Sequence, residues 1–269
     1  MLKISKKVQF SSEENKMNSV ANTKKARELY YSAKSSNLKF LLEKRLSWMN
    51  EFIKDEHTGI EVGSGAGFTR EFIKNKNLKL TDLGNDDHLD FKNIDAQNTG
   101  FQNESFNFVI ASNMIHHIPY PIKFFKEMNR ILKKDGKLII FESYCSITFQ
   151  IVTILMKHEG FDFTLNVWDE KNAKSDEHNA WHGNIAVPHL IFDDKKKFKE
   201  NLDKYFKINY EKFTECLIFL NSGGVTSKTK YIPMNRFFLN ILHFIDQILI
   251  KILPSVFCMG RRIVLTKSN

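Results

Sequence analysis

The chain has 269 residues, of which 42% are hydrophobic and 26% are charged, and its formal net charge is +9. This composition is typical of a globular protein, and the length fits one α/β unit with an insertion. The three cysteines are scattered and no histidines stand at metal-ligand spacing, so the sequence predicts neither a disulfide framework nor a metal site. Lysines are spread along the chain without a separate basic domain, which argues against a nucleic-acid partner. They predict solvated faces, or else attraction to an anionic substrate or an acidic membrane surface.

The most informative pattern is a glycine loop within residues 58–67. A short apolar strand runs into it, and an amphipathic helix is predicted from Phe68 onward. The alternating loop residues are Gly63, Ser64, Gly65, Ala66 and Gly67. Glycine permits positive φ and lets backbone N–H groups approach a ligand. A dinucleotide site would need glycine where Phe68 stands, whereas Glu61 suits a ligand with a cationic amino group. The loop therefore predicts S-adenosylmethionine as the ligand in preference to NAD.

Short apolar strands then alternate with helical patterns. Strands are predicted at residues 78–82, 91–97, 106–112 and 137–143, with a helix that begins at Pro121. Two further strands, at 213–220 and 261–266, would form an antiparallel hairpin at the sheet edge. The predicted fold is α/β, with a doubly wound, seven-stranded, mostly parallel sheet and ligands at the carboxyl ends of its strands. Insertions are expected after strand 5 and between strands 6 and 7.

Residues from about 59 to 142 resemble the Rossmann-like class I S-adenosylmethionine-dependent methyltransferases, especially the group that includes the ubiquinone and menaquinone methyltransferases. The resemblance rests on EVGSGAG, Asp82, IDAQN, FNFVIASNMIHHI and ILKKDGKLIIFE, in that order. It implies contacts to the methionine part from Glu61 and the loop, to the ribose from Asp82, and to the adenine from Asp95 with Ala96 or Gln97. The implied cofactor-binding residues are Glu61, Gly63, Ser64, Gly65, Gly67, Asp82, Asp95, Ala96, Ser112, Asn113 and Met114. The alternative is that the glycines serve only a tight turn and the acids only cap helices.

Two segments lie outside this core. Residues 158–188 are rich in aromatic and polar side chains, and their length predicts a substrate-covering segment, or else a variable surface loop. Residues 235–253 form a one-sided amphipathic helix whose polar residues exclude a transmembrane span. This helix could dock on its own core, on a membrane surface or on a second copy of the chain. The predicted divisions are 1–36 (leading segment), 37–145 (cofactor core), 146–212 (substrate-covering insertion) and 213–269 (closing strands with the inserted helix).

The predicted function is methyl transfer to a small-molecule, glycan or lipid-linked acceptor, on oxygen or carbon. An acceptor hydroxyl needs a base, and His117 and His158 are the predicted catalytic residues; each could instead be a hydrogen-bonded structural histidine. Other candidate functions are a non-catalytic cofactor-binding protein and an aminopropyl transferase. The cysteine pattern and the lack of an apolar stretch in the first twenty residues predict a cytoplasmic location, with the inner membrane face as a second expectation.

Overall fold

The computed structural model describes residues 2–16, 22–32, 36–226 and 228–268, so parts of the predicted leading segment, 17–21 and 33–35, lie outside the described residues. Its strands, in chain order, are β1 (Lys7–Val8), β2 (Gly59–Val62), β3 (Leu78–Thr81), β4 (Phe106–Ser112), β5 (Leu132–Ser143), β6 (Phe161–Asp162), β7 (Phe206–Thr214) and β8 (Gly260–Lys267). Six of them form one sheet in the order β3-β2-β4-β5-β8-β7, while β1 and β6 pair separately. The pairs β3-β2, β2-β4 and β4-β5 are parallel, and β8 is antiparallel to both β5 and β7. The predicted α/β class with a mostly parallel sheet is confirmed.

The helices begin where capping residues or prolines favour them. Asn22, Ser146, Asp194 and Asn235 each accept a hydrogen bond from a backbone N–H in the first turn of a helix, and Pro121 occupies the first turn of another. The helices are α1 (Thr23–Tyr31), α2 (Ser36–Leu46), α3 (Pro121–Ile131), α4 (Ile147–Met156), α5 (Val187–Phe192), α6 (Lys195–Leu202), α7 (Leu217–Leu220), α8 (Arg236–Ile252) and α9 (Pro254–Phe257).

Three predictions about elements were wrong. Residues 91–97 form only isolated bridges, because Asn93 adopts a left-handed φ of 55° that interrupts an extended chain. The sheet therefore has six strands among the described residues, where seven were predicted. The strand predicted at 213–220 lies earlier, at Phe206–Thr214, since Glu215 turns the chain with a φ of 51° before α7. The helix predicted after the glycine loop is only a 3₁₀ turn, Phe68–Glu71.

Apolar side chains cover both faces of the main sheet. On one face Phe124 and Phe125 of α3 pack with Phe192 of α5, and all three are fully buried. On the other face α2 and the 3₁₀ turn Ser47–Phe52 contribute Leu38 and Trp48. Because both faces are covered, the central strands can be apolar along their whole length. From β2 the chain builds outward to β3 and then returns to β4 on the other side, so a crevice forms at the carboxyl ends of β2 and β4.

The helix α8 turns its apolar stripe away from the protein. Its fully or nearly buried residues are Leu239, Asp246 and Ile250. The exposed stripe, by contrast, consists of Phe237, Phe238, Ile241, Phe244, Ile245, Ile248 and Ile252. The Asp246 carboxylate accepts hydrogen bonds from the backbone N–H groups of residues 216–218 and so caps α7. In the part of the chain that the structure describes, no helix is both long and apolar enough to cross a membrane.

Candidate active site

The glycine loop follows β2 with three left-handed residues. Gly63, Gly65 and Gly67 have φ values of 64°, 51° and 68°, a region that strains any residue with a Cβ. A Cβ on Gly65 would meet no atom of the described chain within 4 Å, so the loop leaves open space in front of this residue. The Ser64 hydroxyl lies within the turn, where it donates to the Glu61 carbonyl oxygen and accepts from the Thr81 N–H. The loop is thus a rigid backbone cradle with room for a ligand.

Glu61 lies in β2 below this loop and is almost fully buried. Its Oε1 accepts a hydrogen bond of 2.6 Å from the Thr69 hydroxyl, whereas Oε2 is buried without a hydrogen-bond partner among the described residues. Burial raises the pKa of this carboxyl to about 8. A buried acid with an orphan oxygen fits a ligand that carries a cationic amino group, because such a group would pair with the carboxylate. The amino end of S-adenosylmethionine satisfies this requirement.

Asp82, predicted on the ribose, stands at the end of β3 beside the loop. Its Oδ2 accepts from the Gly65 N–H at 2.8 Å and its Oδ1 from the Gly84 N–H at 2.9 Å. Each carboxylate oxygen can accept a second hydrogen bond, so the residue can hold the loop and still receive ribose hydroxyls. The N–H of Ile94 donates to the Asp82 carbonyl and brings the following residues to the same edge.

The residues implied at the adenine, Asp95 and Ala96, lie next along this edge. Asp95 Oδ1 accepts from the Gln97 N–H at 2.8 Å, and Ala96 is buried. A cavity of about 310 Å³ opens here, and the residues that line it are Asp95, Gln97, Asn98, Pro119, Tyr120, Lys123 and Glu177. The structure therefore brings the predicted ribose and adenine residues to one continuous side of the crevice.

The predicted floor residues follow β4. Ser112 ends the strand, and Asn113 takes a left-handed φ of 51° while its N–H donates to the Phe141 carbonyl at 2.7 Å. The buried Met114 side chain lies directly beside the loop, since a Cβ on Gly63 would be 3.0 Å from the Met114 Cβ. The residues after β4 and the residues after β2 therefore face each other at the switch point of the sheet.

A cluster of histidines and glutamates begins two residues further on. His116 and His117 occupy the 3₁₀ turn Ile115–His117, and their ring centroids are 4.1 Å apart. His116 Nδ1 lies 2.7 Å from Glu142 Oε2, its Nε2 lies 3.5 Å from Glu159 Oε2, and His117 Nε2 lies 3.5 Å from Glu159 Oε1. Among the described residues, His116, His117 and Glu159 form a group whose geometry could hold a metal ion.

The electrostatic environment shifts the pKa values of His116 and His117 in opposite directions. Burial opposes charge on His116, but the carboxylates of Glu142 and Glu159 outweigh burial and raise its pKa to about 9. For His117, burial and then the neighbouring His116 lower the pKa to about 4. Burial also lowers the pKa of His158, whose backbone N–H donates to the Thr153 carbonyl at the end of α4. Near pH 7 the cluster thus contains one cationic imidazole and two neutral ones.

Sequence reasoning missed both glutamates. Glu142 ends an apolar run of β5, and the rule that ligands gather at the carboxyl ends of neighbouring parallel strands could have found it. Glu159 comes from the segment 158–188, called the insertion below, where no sequence pattern indicates its partner. Its placement depends on tertiary contacts: the Asn184 N–H donates to the His116 carbonyl and the Ser175 hydroxyl donates to the His117 carbonyl. The segment 158–188 therefore lies directly against the histidine turn.

Part of the chain is similar to known proteins. Residues 60–140 match the family model described as "Methyltransferase domain". The chain is 20% identical over 137 residues to a phosphatidylethanolamine N-methyltransferase of Cereibacter sphaeroides, with 51% of this chain and 61% of that protein covered. It is 30% identical over 131 residues to a demethylmenaquinone methyltransferase of Staphylococcus haemolyticus, with 48% and 53% covered. The chain thus spans only about half to three fifths of these relatives' lengths.

Among solved structures, the chain resembles a SAM-dependent methyltransferase from Archaeoglobus fulgidus, with a TM-score of 0.49, 13% identity and coverage of 85% of this chain and 93% of that one. The family match covers the glycine loop, Asp82, Asp95 and the residues after β4, which are the positions that the structure gathers around the crevice. Residues 60–140 thus match a methyltransferase domain, and S-adenosylmethionine is the cofactor that this family implies.

Proposed function

We propose that this protein transfers the methyl group of S-adenosylmethionine to an acceptor that resides in a lipid bilayer. The observation that most directly supports the donor is the loop itself, which is open in front of Gly65 and lies above the orphan Oε2 of Glu61. A non-catalytic binding protein would need the same pocket, but it would not need the buried histidines that lie beside it.

The side chains beside the loop suit the acceptor half of the reaction. The bound cofactor supplies an activated methyl group, so the protein mainly has to align the acceptor and exclude water. Residues 158–188 contact the histidine turn and fit the role of a cover. If the acceptor is a hydroxyl, its proton must be taken up as the new bond forms. Burial lowers the pKa of both predicted bases, His117 and His158, so each imidazole is neutral at pH 7 and has an unprotonated nitrogen, while the lowered pKa also makes it a weaker base.

The exposed stripe of α8 supports a bilayer as the source of the acceptor. Phe237, Phe244 and Ile252 are 67%, 66% and 66% exposed, which is unusual for side chains of this size. On α4, which contacts the short helix α9, Ile151 and Leu155 are also exposed. An amphipathic helix with an apolar face of this kind lies in the boundary between lipid headgroups and acyl chains.

Charge and position agree with a bilayer. Burial, and then the nearby cations Lys44, Arg262 and Lys212, lower the pKa of His243 on α8, so positive charge lies close to this helix and would attract anionic headgroups. The short helix α9 joins α8 to β8, whose first residue, Gly260, pairs with Ser143 at the carboxyl end of β5. The end of α8 is therefore on the same edge of the sheet as the histidine cluster. The two curated relatives are named for phosphatidylethanolamine and demethylmenaquinone, which are both lipids.

The test uses the full chain with cofactor that is labelled in its methyl group. Calorimetry with S-adenosylmethionine and S-adenosylhomocysteine measures binding first. The labelled cofactor is then supplied with a lipid extract and, separately, with the aqueous metabolites of the source organism. We expect binding, and transfer of label into the lipid extract.

Absence of binding would contradict the donor. If the label appears only in aqueous products, the acceptor is not a lipid. If the product mass shows that an aminopropyl group was transferred, the reaction is not methyl transfer. A Gly65→Val variant is the control, because its side chain would occupy the open space in front of the loop and remove both binding and transfer.

A further inference from the structure

Three potential metal-ligand side chains lie close together beside the crevice, although a general base would require only one of them. The His–Glu centre, defined here as His116, His117 and Glu159, has one nitrogen or oxygen from each residue within 4.8 Å of the others. The two histidines come from the turn after β4, and Glu159 comes from the insertion. Two imidazoles and one carboxylate are the ligand set of many catalytic zinc and non-haem iron sites.

The distances in the centre resemble spacings between ligands more than hydrogen bonds. Each His Nε2 lies 3.5 Å from one oxygen of Glu159, longer than the roughly 2.7–3.2 Å of an ordinary N–H···O bond. Two ligands on a tetrahedral ion with bonds of about 2.1 Å are separated by about 3.4 Å. Both His–Glu spacings therefore match the separation expected for two ligands of one ion.

A carboxylate orients the His116 imidazole in the way that is common for metal-bound histidines. Its Nδ1 is hydrogen-bonded to Glu142 Oε2 at 2.7 Å, which directs Nε2 toward Glu159. Glu142 is held in turn by the backbone N–H groups of Ile115, at 2.5 Å, and Ser143, at 3.1 Å. A carboxylate that fixes the far nitrogen of an imidazole is the common outer partner of a metal-bound histidine.

The centre is enclosed but reachable. The side chains of His116 and Glu159 are each 6% exposed, whereas that of His117 is 20% exposed. His117 Nδ1 is buried and has no hydrogen-bond partner in the described ranges, so no protein group competes for this ring through that atom. Three protein ligands leave coordination positions free for an acceptor oxygen.

We propose that His116 Nε2, His117 Nε2 and the Glu159 carboxylate bind a divalent transition-metal ion such as Zn²⁺, Fe²⁺ or Co²⁺. The ion would displace to solvent the proton that His116 carries in the metal-free protein. Two nitrogen ligands favour these ions over Mg²⁺ or Ca²⁺, which prefer oxygen. This proposal replaces the sequence-based expectation of no metal, and it makes His117 a ligand instead of the general base. An ion at this position would polarise an acceptor oxygen beside the cofactor loop. Its binding does not depend on methyl transfer, so the two proposals can fail separately.

The experiment uses the full chain after chelator treatment and dialysis. Co²⁺ is titrated in and followed by its visible absorption, which reports nitrogen and oxygen ligation, and Zn²⁺ binding is measured by calorimetry. We expect one equivalent bound. His117→Gln and Glu159→Gln should each weaken binding by about 100-fold or more. Glu142→Gln should weaken it by about 10–100-fold, the usual effect of an outer partner.

His178→Gln is the matched control, because His178 belongs to the same insertion but is exposed. His117 is the least buried of the three ligands, so its variant is the safest for folding, and thermal unfolding of each metal-free variant checks this. A wild-type protein without the cobalt bands would overturn the proposal, as would equal affinity in wild type, His117→Gln and Glu159→Gln. Cofactor affinity of the metal-free protein, measured in parallel, tests the proposed methyl donor independently.

Discussion

Glu61 is almost fully buried in β2, and its Oε2 has no hydrogen-bond partner among the described residues, so we expect cofactor binding to depend on the protonation of this carboxyl. Its pKa in the folded protein is raised by burial from 4.5 to about 8, so the carboxyl is mainly protonated at pH 7. A carboxyl with a raised folded-state pKa stabilises the fold fully below pH 4.5, and this contribution is lost as pH rises through about 8. A cationic ligand group beside it favours the charged form and lowers the pKa again.

We therefore expect binding of S-adenosylmethionine at pH 7 to release up to about one proton, and affinity to increase with pH up to about 8. Calorimetry in buffers of different ionisation enthalpy measures the released protons. Glu61→Gln should release none, whereas Glu71→Gln, a change in the turn that follows the loop, should behave as wild type. Equal proton release from Glu61→Gln and wild type would show that another group titrates.

At the scale of elements, Gly183 couples the insertion to the histidine turn. A Cβ added here would lie 2.8 Å from His117 Nδ1 and 3.0 Å from His116 Cδ2, too close for an ordinary contact. Gly183→Ala should therefore displace the histidines and lower methyl transfer at least about tenfold, since small misplacements at a reaction centre are costly. Cofactor affinity should change little, because the loop residues are untouched.

Paired measurements of affinity and turnover test this expectation, with Ala180→Gly as a control in the same segment. Loss of cofactor binding together with activity would show that the change spreads beyond the histidine turn.

Asp246 joins α8 to α7 through three hydrogen bonds to backbone N–H groups. It is the acidic residue on a buried helix face that otherwise contributes Leu239 and Ile250. Asp246→Ala would leave those donors buried and unpaired, and we expect a loss of about 2–3 kcal/mol in the free energy of unfolding. Denaturant unfolding measures this, with Asn240→Ala on the exposed side of the same helix as the control. A change below about 0.5 kcal/mol would mean that water or a rearranged helix satisfies the donors.

The whole molecule has an apolar stripe on α8, a net charge of +9 and a reaction crevice at one edge of its sheet. We expect binding to vesicles that contain anionic phosphatidylglycerol, and weaker binding to phosphatidylcholine alone or at high salt. Phe244→Gln with Ile248→Gln should reduce flotation with anionic vesicles by about tenfold or more, because two large apolar side chains no longer enter the bilayer.

Asn240→Gln is the control for that experiment, since it alters the same helix outside the stripe. Light scattering of the free protein tests the competing arrangement. A stable dimer that the double variant dissociates, with no vesicle binding by the wild type, would assign the stripe to a second copy of the chain.

The sequence alone predicted which residues would form the cofactor side of the crevice. The alternating glycines, Glu61, Asp82 and Asp95 follow one another at short separations, and local conformation brings them together once the strands form. The alternation of strands and helices likewise predicted a mostly parallel sheet, because this alternation is also a local property of the chain. Local conformation also explains the wrong strand predictions at 91–97 and 213–220. Asn93 and Glu215 adopt left-handed φ values that no periodic pattern of apolar residues reveals.

The proposed acceptor side depends on tertiary structure. Glu142 and Glu159 lie 26 and 43 residues from His116, and they meet it only because β5 pairs with β4 and the insertion folds back onto the turn. The sequence also could not predict which way the apolar stripe of α8 faces, because the stripe has the same residue pattern whether it packs on a core or on a membrane. In the structure Asp246 faces inward and caps α7 while the stripe is exposed, and the Asp246 contact depends on distant parts of the chain packing together.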